Sequence, residues 1–166
     1  MKNSKITLIF DLDETVINSA HRTPNFPDGT LNLAAYIELH TDENVAKDTL
    51  LPLAKVMQDA IKAGYKVAIL TARDMMAADY QFLAENGILP KHIYSRDKCK
   101  TKKHYFMKDG EYKAKWFSMM PKSLTNNNCI MFDDAKPVKS AMRKIGVICL
   151  CAHKVNAKLY ADARMK

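Results

Sequence analysis

Three short apolar runs, each cut off by polar residues, constrain this chain more than any other feature. Lys5 to Phe10 (KITLIF) ends in Asp11, Leu12 and Asp13; Tyr65 to Leu70 (YKVAIL) ends in Thr71, Ala72 and Arg73; Cys129 to Phe132 (CIMF) ends in Asp133 and Asp134. Runs this short, rich in β-branched and aromatic residues, read as buried strands. His92 to Tyr94 and Val147 to Cys151 read as two more. Between the runs, apolar residues recur at helical steps. Leu50, Leu53, Ala54, Met57, Ala60 and Ile61 predict a helix with Asp48 or Thr49 as its N-cap, Pro52 in its first turn and Gly64 as its stop. A second is expected from an Asp74 cap through Tyr80, Phe82 and Leu83 to Asn86. A third is expected from about Glu111 to Met120, after an Asp109-Gly110 turn, and a fourth from about Ala135 to Lys144. Strand, helix, strand, helix is the rhythm of α/β architecture: an open parallel sheet of about five strands with helices on both faces, in three layers.

In such a sheet the crevice at the carboxyl ends of the strands is where ligands bind. The polar residues that end the three runs therefore converge there. Asp11, Asp13, Asp133 and Asp134 would raise one another's pKa values unless a cation compensates them. A hard divalent ion with oxygen ligands, Mg²⁺, answers that need, since it is held by one or two carboxylates together with substrate phosphate. One carboxylate is then available to attack phosphorus and another to handle protons.

The ordered set of Asp11-x-Asp13-x-Thr15, Thr71, a downstream lysine and Asp133-Asp134 resembles the four motifs of the haloacid dehalogenase (HAD)-like phosphatases, from about Ile6 to Leu150. The resemblance implies that Asp11 is the nucleophile and Asp13 the general acid and base. It implies that Thr71 bonds the transferring phosphoryl group and that Lys113, with Lys115 as the rival, offsets its charge. Mg²⁺ would then be held by Asp11, the carbonyl of Asp13, and Asp133 or Asp134. LTAR at 70–73, SRDKCKTKK at 95–103, KAKWF at 113–117 and the segment 132–152 are most similar to the phosphatase domains of phage polynucleotide kinase/phosphatases. That likeness implies phosphate binding by Thr15, Ala72, Arg73 and Arg96, and a polynucleotide 3′-phosphatase. The alternatives are a nucleotidase or other small-molecule phosphatase, and a non-catalytic nucleic-acid-binding module. Asp-Glu-Thr stands at 13–15 where those domains have Asp-Gly-Thr, and no G-x-x-x-x-G-K-[ST] kinase loop is present.

At 166 residues the chain fits one domain. The irregular stretch from Ser19 to Asp48, with Pro24, Pro27 and an Asp28-Gly29 turn, leaves room at about 18–48 for a flap or small insert, and so for a minimal cap or none. Within it LNLAAYIEL (31–39) reads equally as a strand or a short helix. The formal charge of +8 is concentrated in Arg96, Lys98, Lys100, Lys102, Lys103, His104, Lys108, Lys113, Lys115 and Lys122, a field that steers polyanions. His104, Tyr105 and Phe106 interleave with these lysines and suit either base stacking or packing. No apolar run approaches bilayer length and the N-terminus lacks a signal-like segment, so a soluble, cytoplasmic protein is expected. Cys99, Cys129, Cys149 and Cys151 match neither a zinc site nor a disulfide framework.

Overall fold

The computed structural model describes residues 6–28, 30–126 and 128–165. Lys5, in the first predicted strand, and Gly29, in the predicted Asp28-Gly29 turn, lie outside them. In chain order the strands are β1 (Ile6–Phe10), β2 (Ile17–Asn18), β3 (Thr49–Leu50), β4 (Lys66–Leu70), β5 (His92–Tyr94), β6 (Asn128–Asp133) and β7 (Ile148–Cys151). The helices are α1 (Leu33–Leu39), α2 (Asp42–Val45), α3 (Pro52–Lys62), α4 (Ala77–Glu85), α5 (Lys102–Tyr105), α6 (Asp109–Met119), α7 (Lys122–Thr125), α8 (Lys136–Lys144) and α9 (Ala152–Arg164). The main sheet runs β5-β4-β1-β6-β7 with every pairing parallel, the expected five-stranded open sheet. β1 is its centre because its residues are apolar on both faces. Leu8 and Phe10 turn to the layer with Leu53, Met57 and Leu83, and Ile9 to the opposite layer with Tyr112, Trp116, Val138 and Met142. Phe10 is in register with Phe132, and the two rings stack at 4.9 Å.

β2 and β3 form a separate antiparallel ladder, Ile17 opposite Leu50 and Asn18 opposite Thr49. That ladder joins the two ends of the irregular stretch. LNLAAYIEL resolves into α1, whose cap is Asn32, and α1 buries no residue of its own. α9 packs on α3, with Val155 and Leu159 against the core. The four cysteines form no disulfide. Among the described residues no helix is long and apolar enough to cross a membrane.

Three helix starts differ from expectation. α3 begins at Pro52 with Leu51 as its cap, because Asp48 is buried in an ion pair with Arg22 and Thr49 is in β3. α4 begins after Met76, and its first turn is stabilised by Asp79, which accepts the Met76 N–H at 2.9 Å, whereas Asp74 accepts the Tyr105 hydroxyl at 2.6 Å. Asp109 and Gly110 lie inside α6 rather than in a turn before it. Gly110 serves packing: a Cβ there would meet the Pro137 carbonyl oxygen at 3.1 Å and the Ala141 methyl at 3.2 Å, on α8. Gly110→Ala is expected to destabilise the protein by about 1–2 kcal/mol in urea denaturation, since the α8 backbone must move and that outweighs the better helix propensity of alanine.

Candidate active site

The parallel register sets Asp11 beside Asp133. Phe10 pairs with Phe132, and the next step of the ladder, the Asp11 N–H donated to the Phe132 carbonyl at 3.0 Å, carries the two acids out of the sheet together. Carboxylate oxygens of Asp11, Asp133 and Asp134 lie within 4.8 Å of one another. α6 brings Lys113 to the same point. Its Nζ lies 2.8 Å from Asp11 Oδ1 and 2.8 Å from Asp133 Oδ2, with only 2% of the side chain exposed. Lys113 sits between Tyr112 and Trp116 on the buried side of α6, whereas Lys115 is exposed. Neither Asp133 nor Asp134 caps α8. The cap is Ala135, whose N–H is donated to Asp133 Oδ1 at 2.9 Å.

Burial raises the Asp11 carboxyl well above the usual carboxylate range, the Lys113 ammonium opposes the rise, and Asp133, Asp134 and Asp13 add to it. Asp134 is raised by burial and by Asp133. Burial disfavours the Lys113 ammonium, but Asp11 and Asp133 overcome it and hold the cation firmly charged. Three carboxylates around one ammonium leave two negative charges over. An all-oxygen donor set with that excess suits a hard divalent cation, and these residues fit one.

Asp13 points elsewhere. Its Oδ1 accepts the Ser19 hydroxyl at 2.5 Å and the Arg73 Nη2, and its Oδ2 accepts Arg73 Nε at 3.2 Å. Burial works to raise its carboxyl, yet Arg73 and Ser19 bring it down to about 2. The loop that carries Asp13 is tight: the Leu12 carbonyl accepts the N–H groups of Thr15, Val16 and Ile17. Glu14 has φ of +51°, the left-handed region where glycine is unstrained, at the very position where the resembling motif has glycine. Its carboxylate accepts the Ser19 N–H at 3.0 Å, a bond glycine could not offer. Thr15 is fully buried with no partner for its hydroxyl among the described residues, while Asn156 of α9 donates to its carbonyl at 3.0 Å and accepts the Leu53 N–H at 2.8 Å.

Thr71 is buried at the end of β4 and its Oγ1 accepts the Arg73 N–H at 3.1 Å. Ala72 is half-buried and gives its carbonyl to Arg96 Nε at 2.7 Å. The two arginines expected to bind phosphate both hold partners within the protein. Arg73 is buried and spends its guanidinium on Asp13 and Asp79. Arg96 ties down the basic loop, bonding the carbonyls of Ala72, Tyr105 and Met107 and the Asp109 carboxylate, with its guanidinium 4.5 Å from the Tyr112 ring centre. Arg73 needs these partners, since a buried guanidinium without a counter-ion is costly. His104 is buried against Tyr112 and Trp116, so of the interleaved aromatics only Phe106, 77% exposed, faces outward.

Sequence reasoning missed Arg22, Asp79 and Asn156 and read Asp48 only as a helix cap; all four are buried and polar. An arginine in an irregular stretch and an acid in a helix's first turn carry no pattern that separates them from surface residues. Lys113→Met is expected to lower stability in urea, measured without divalent cation, by about 3 kcal/mol, because Asp11 and Asp133 lose the cation between them.

Residues 1–166 match the model of the bacteriophage T5 5′-deoxynucleotidase family. The 5′-deoxynucleotidase of Escherichia phage T5 is 34% identical over 165 residues, covering 90% of this chain and 68% of that protein. Among solved structures, a HAD-like family hydrolase of Streptococcus pneumoniae superposes with a TM-score of 0.64 at 14% identity, covering 89% of this chain and 84% of that one. A chain of the Pnkp1/Rnl/Hen1 RNA repair complex gives 0.62 at 23% identity, over 88% of this chain and 42% of that one. By the family match along its whole length the chain belongs to the bacteriophage T5 5′-deoxynucleotidase family and is an enzyme, a phosphatase with the HAD-like fold.

Proposed function

We propose that this chain is a 5′-nucleotidase acting on deoxynucleoside monophosphates. The observation that carries the reading is the 34% identity to the phage T5 5′-deoxynucleotidase along 90% of the chain. It favours a mononucleotide over the nucleic-acid 3′-end expected from the resemblance to polynucleotide kinase/phosphatases, for which the RNA repair relative stands at 23%. The segment between β2 and β3 serves as a small flap over the substrate. Its attachment supports this: the β2–β3 ladder sets it directly on the loop that carries Asp13, where the Glu14 N–H is donated to the Ile17 carbonyl at 2.8 Å. The exposed lysines of the basic stretch then steer a phosphate dianion rather than grip a polymer.

In this reading Asp11 attacks phosphorus, forming an aspartyl-phosphate as the ester bond to the nucleoside breaks. Asp13, ionised while it faces Arg73, takes up a proton once its side chain turns away, gives that proton to the departing 5′-oxygen and afterwards takes one from the water that attacks the aspartyl-phosphate, releasing phosphate and restoring Asp11. Lys113, fixed against Asp11, sets the nucleophile's orientation and offsets charge on the phosphoryl oxygens. The Thr71 hydroxyl, whose oxygen already accepts from Arg73, keeps its own hydrogen for the phosphoryl group. Thr15 and the Ala72 amide shape the pocket floor. Asp11, the Asp13 carbonyl, Asp133 and Asp134 would hold Mg²⁺, which would supply the charge neutralisation that a dianionic phosphate needs to approach these acids.

Parallel assays with 5′-deoxynucleotides, 5′-ribonucleotides and 3′-phosphorylated oligonucleotides test the proposal. Deoxynucleotides should turn over, EDTA should stop the reaction and added Mg²⁺ should restore it, and Asp11→Asn should cost at least about 10³-fold in kcat. Faster release of phosphate from oligonucleotide 3′-ends than from mononucleotides would defeat it.

A further inference from the structure

The most heavily charged part of the interior lies behind Asp13, not in the crevice. Arg22, Asp48, Arg73 and Asp79 are 1%, 5%, 3% and 1% exposed. Arg22 grips Asp48 with two bonds, Nε to Oδ1 at 2.9 Å and Nη2 to Oδ2 at 2.6 Å, and reaches Asp79 Oδ1 at 2.9 Å. Arg73 Nη1 bonds the same Asp79 oxygen at 2.6 Å and lies 3.5 Å from Asp48 Oδ2. The four come from the end of β4, the first turn of α4 and the two ends of the segment between β2 and β3. Two arginines and two aspartates sum to zero. Asp13 is a fifth member attached at the edge, with 29% of its side chain exposed.

The neutral sum matters because a buried charge stripped of its partner is costly. Were Arg73 paired with Asp13 alone, turning the Asp13 side chain toward a leaving group would strand a buried guanidinium. Here Arg73 keeps Asp79 and the nearby Asp48, and the group Asp13 leaves behind is neutral. We infer that Arg22, Asp48 and Asp79 are positioning residues for Asp13: with Arg73 they form a charge-neutral seat that holds its side chain turned back and releases it to the substrate without leaving an unpaired cation. The inference rests on the proposed acid–base role of Asp13 and goes beyond it to residues that touch neither substrate nor the phosphoryl group.

The experiment compares kcat/KM for a deoxynucleoside 5′-monophosphate, whose leaving oxygen must be protonated, with kcat/KM for p-nitrophenyl phosphate, whose phenolate departs without a proton. Assays at pH 8 keep histidine charge out of the count. Asp48→Asn gives the seat a charge of +1 and makes Asp13 its needed counter-ion, so the nucleotide-to-aryl ratio should fall about tenfold. Arg22→Gln gives it −1 and should leave the ratio unchanged or raise it. The double variant Asp48→Asn/Arg22→Gln restores neutrality and should return the ratio to within about threefold of wild type, a non-additive rescue. Thermal melts establish that each variant is folded. If Asp48→Asn does not fold, Arg22→Gln and the double variant still decide, since neither should lower the ratio. Equal losses on both substrates, or a double variant worse than Asp48→Asn, would overturn the inference in favour of simple structural support. Asp13→Asn separates the two layers: if it leaves the ratio untouched, the acid–base reading itself fails.

Discussion

The Lys113 ammonium between Asp11 and Asp133 is the contact on which the rest depends. β1, β6 and α6 each contribute one member, so the salt bridge cannot form unless the central strand pairs in register and α6 packs against the sheet. Lys113 neutralises only part of the acid it faces. The remainder is the electrostatic reason for a divalent ion, and the close approach of α6 to α8 at Gly110 is the steric condition for holding the lysine there.

Two charge clusters of opposite design thus share one strand end. The acids around Lys113 carry an excess of negative charge that only something from solution can complete. The cluster behind Asp13 is complete without Asp13 and wants nothing further. A crevice with one unfinished cluster and one finished one gives each acid of the Asp-Leu-Asp sequence a separate environment: Asp11 raised by burial, Asp13 held low by Arg73. The proposed roles need the opposite order, an ionised Asp11 and a protonated Asp13, which a divalent cation beside Asp11 and the turning of Asp13 away from Arg73 would supply.

Much of this is legible in the sequence. Apolar runs of four to six residues announce the strands because a strand buried on both faces has no polar alternation, and their polar endings announce which acids meet. The spacing leaves Lys113 and Lys115 as rivals, though Tyr112, Trp116 and Met120 already mark the buried stripe of α6 on whose edge Lys113 lies. The helix starts depart from the pattern where an acid is engaged elsewhere. Asp48 and Asp74 look like caps until Arg22 and Tyr105 take them. Arg22, Asp79 and Asn156 are illegible because burial of a polar side chain depends on partners brought from distant segments. The choice between a nucleic-acid end and a nucleotide is not legible for a related reason, since exposed lysines look the same whichever of the two they attract.

Asn156 has a consequence for how the molecule reaches its native state. Through it, α9 supplies a donor to the Thr15 carbonyl across 141 residues of chain, while the same side chain anchors the start of α3 across 103. Contacts of such sequence separation are slow to close, since the entropy of drawing the ends together must be met first. The loop bearing Asp13 therefore reaches its final form only once α9 has docked on α3. A chain in which α9 has not docked lacks that brace, so recovery of activity during refolding should follow the docking of α9.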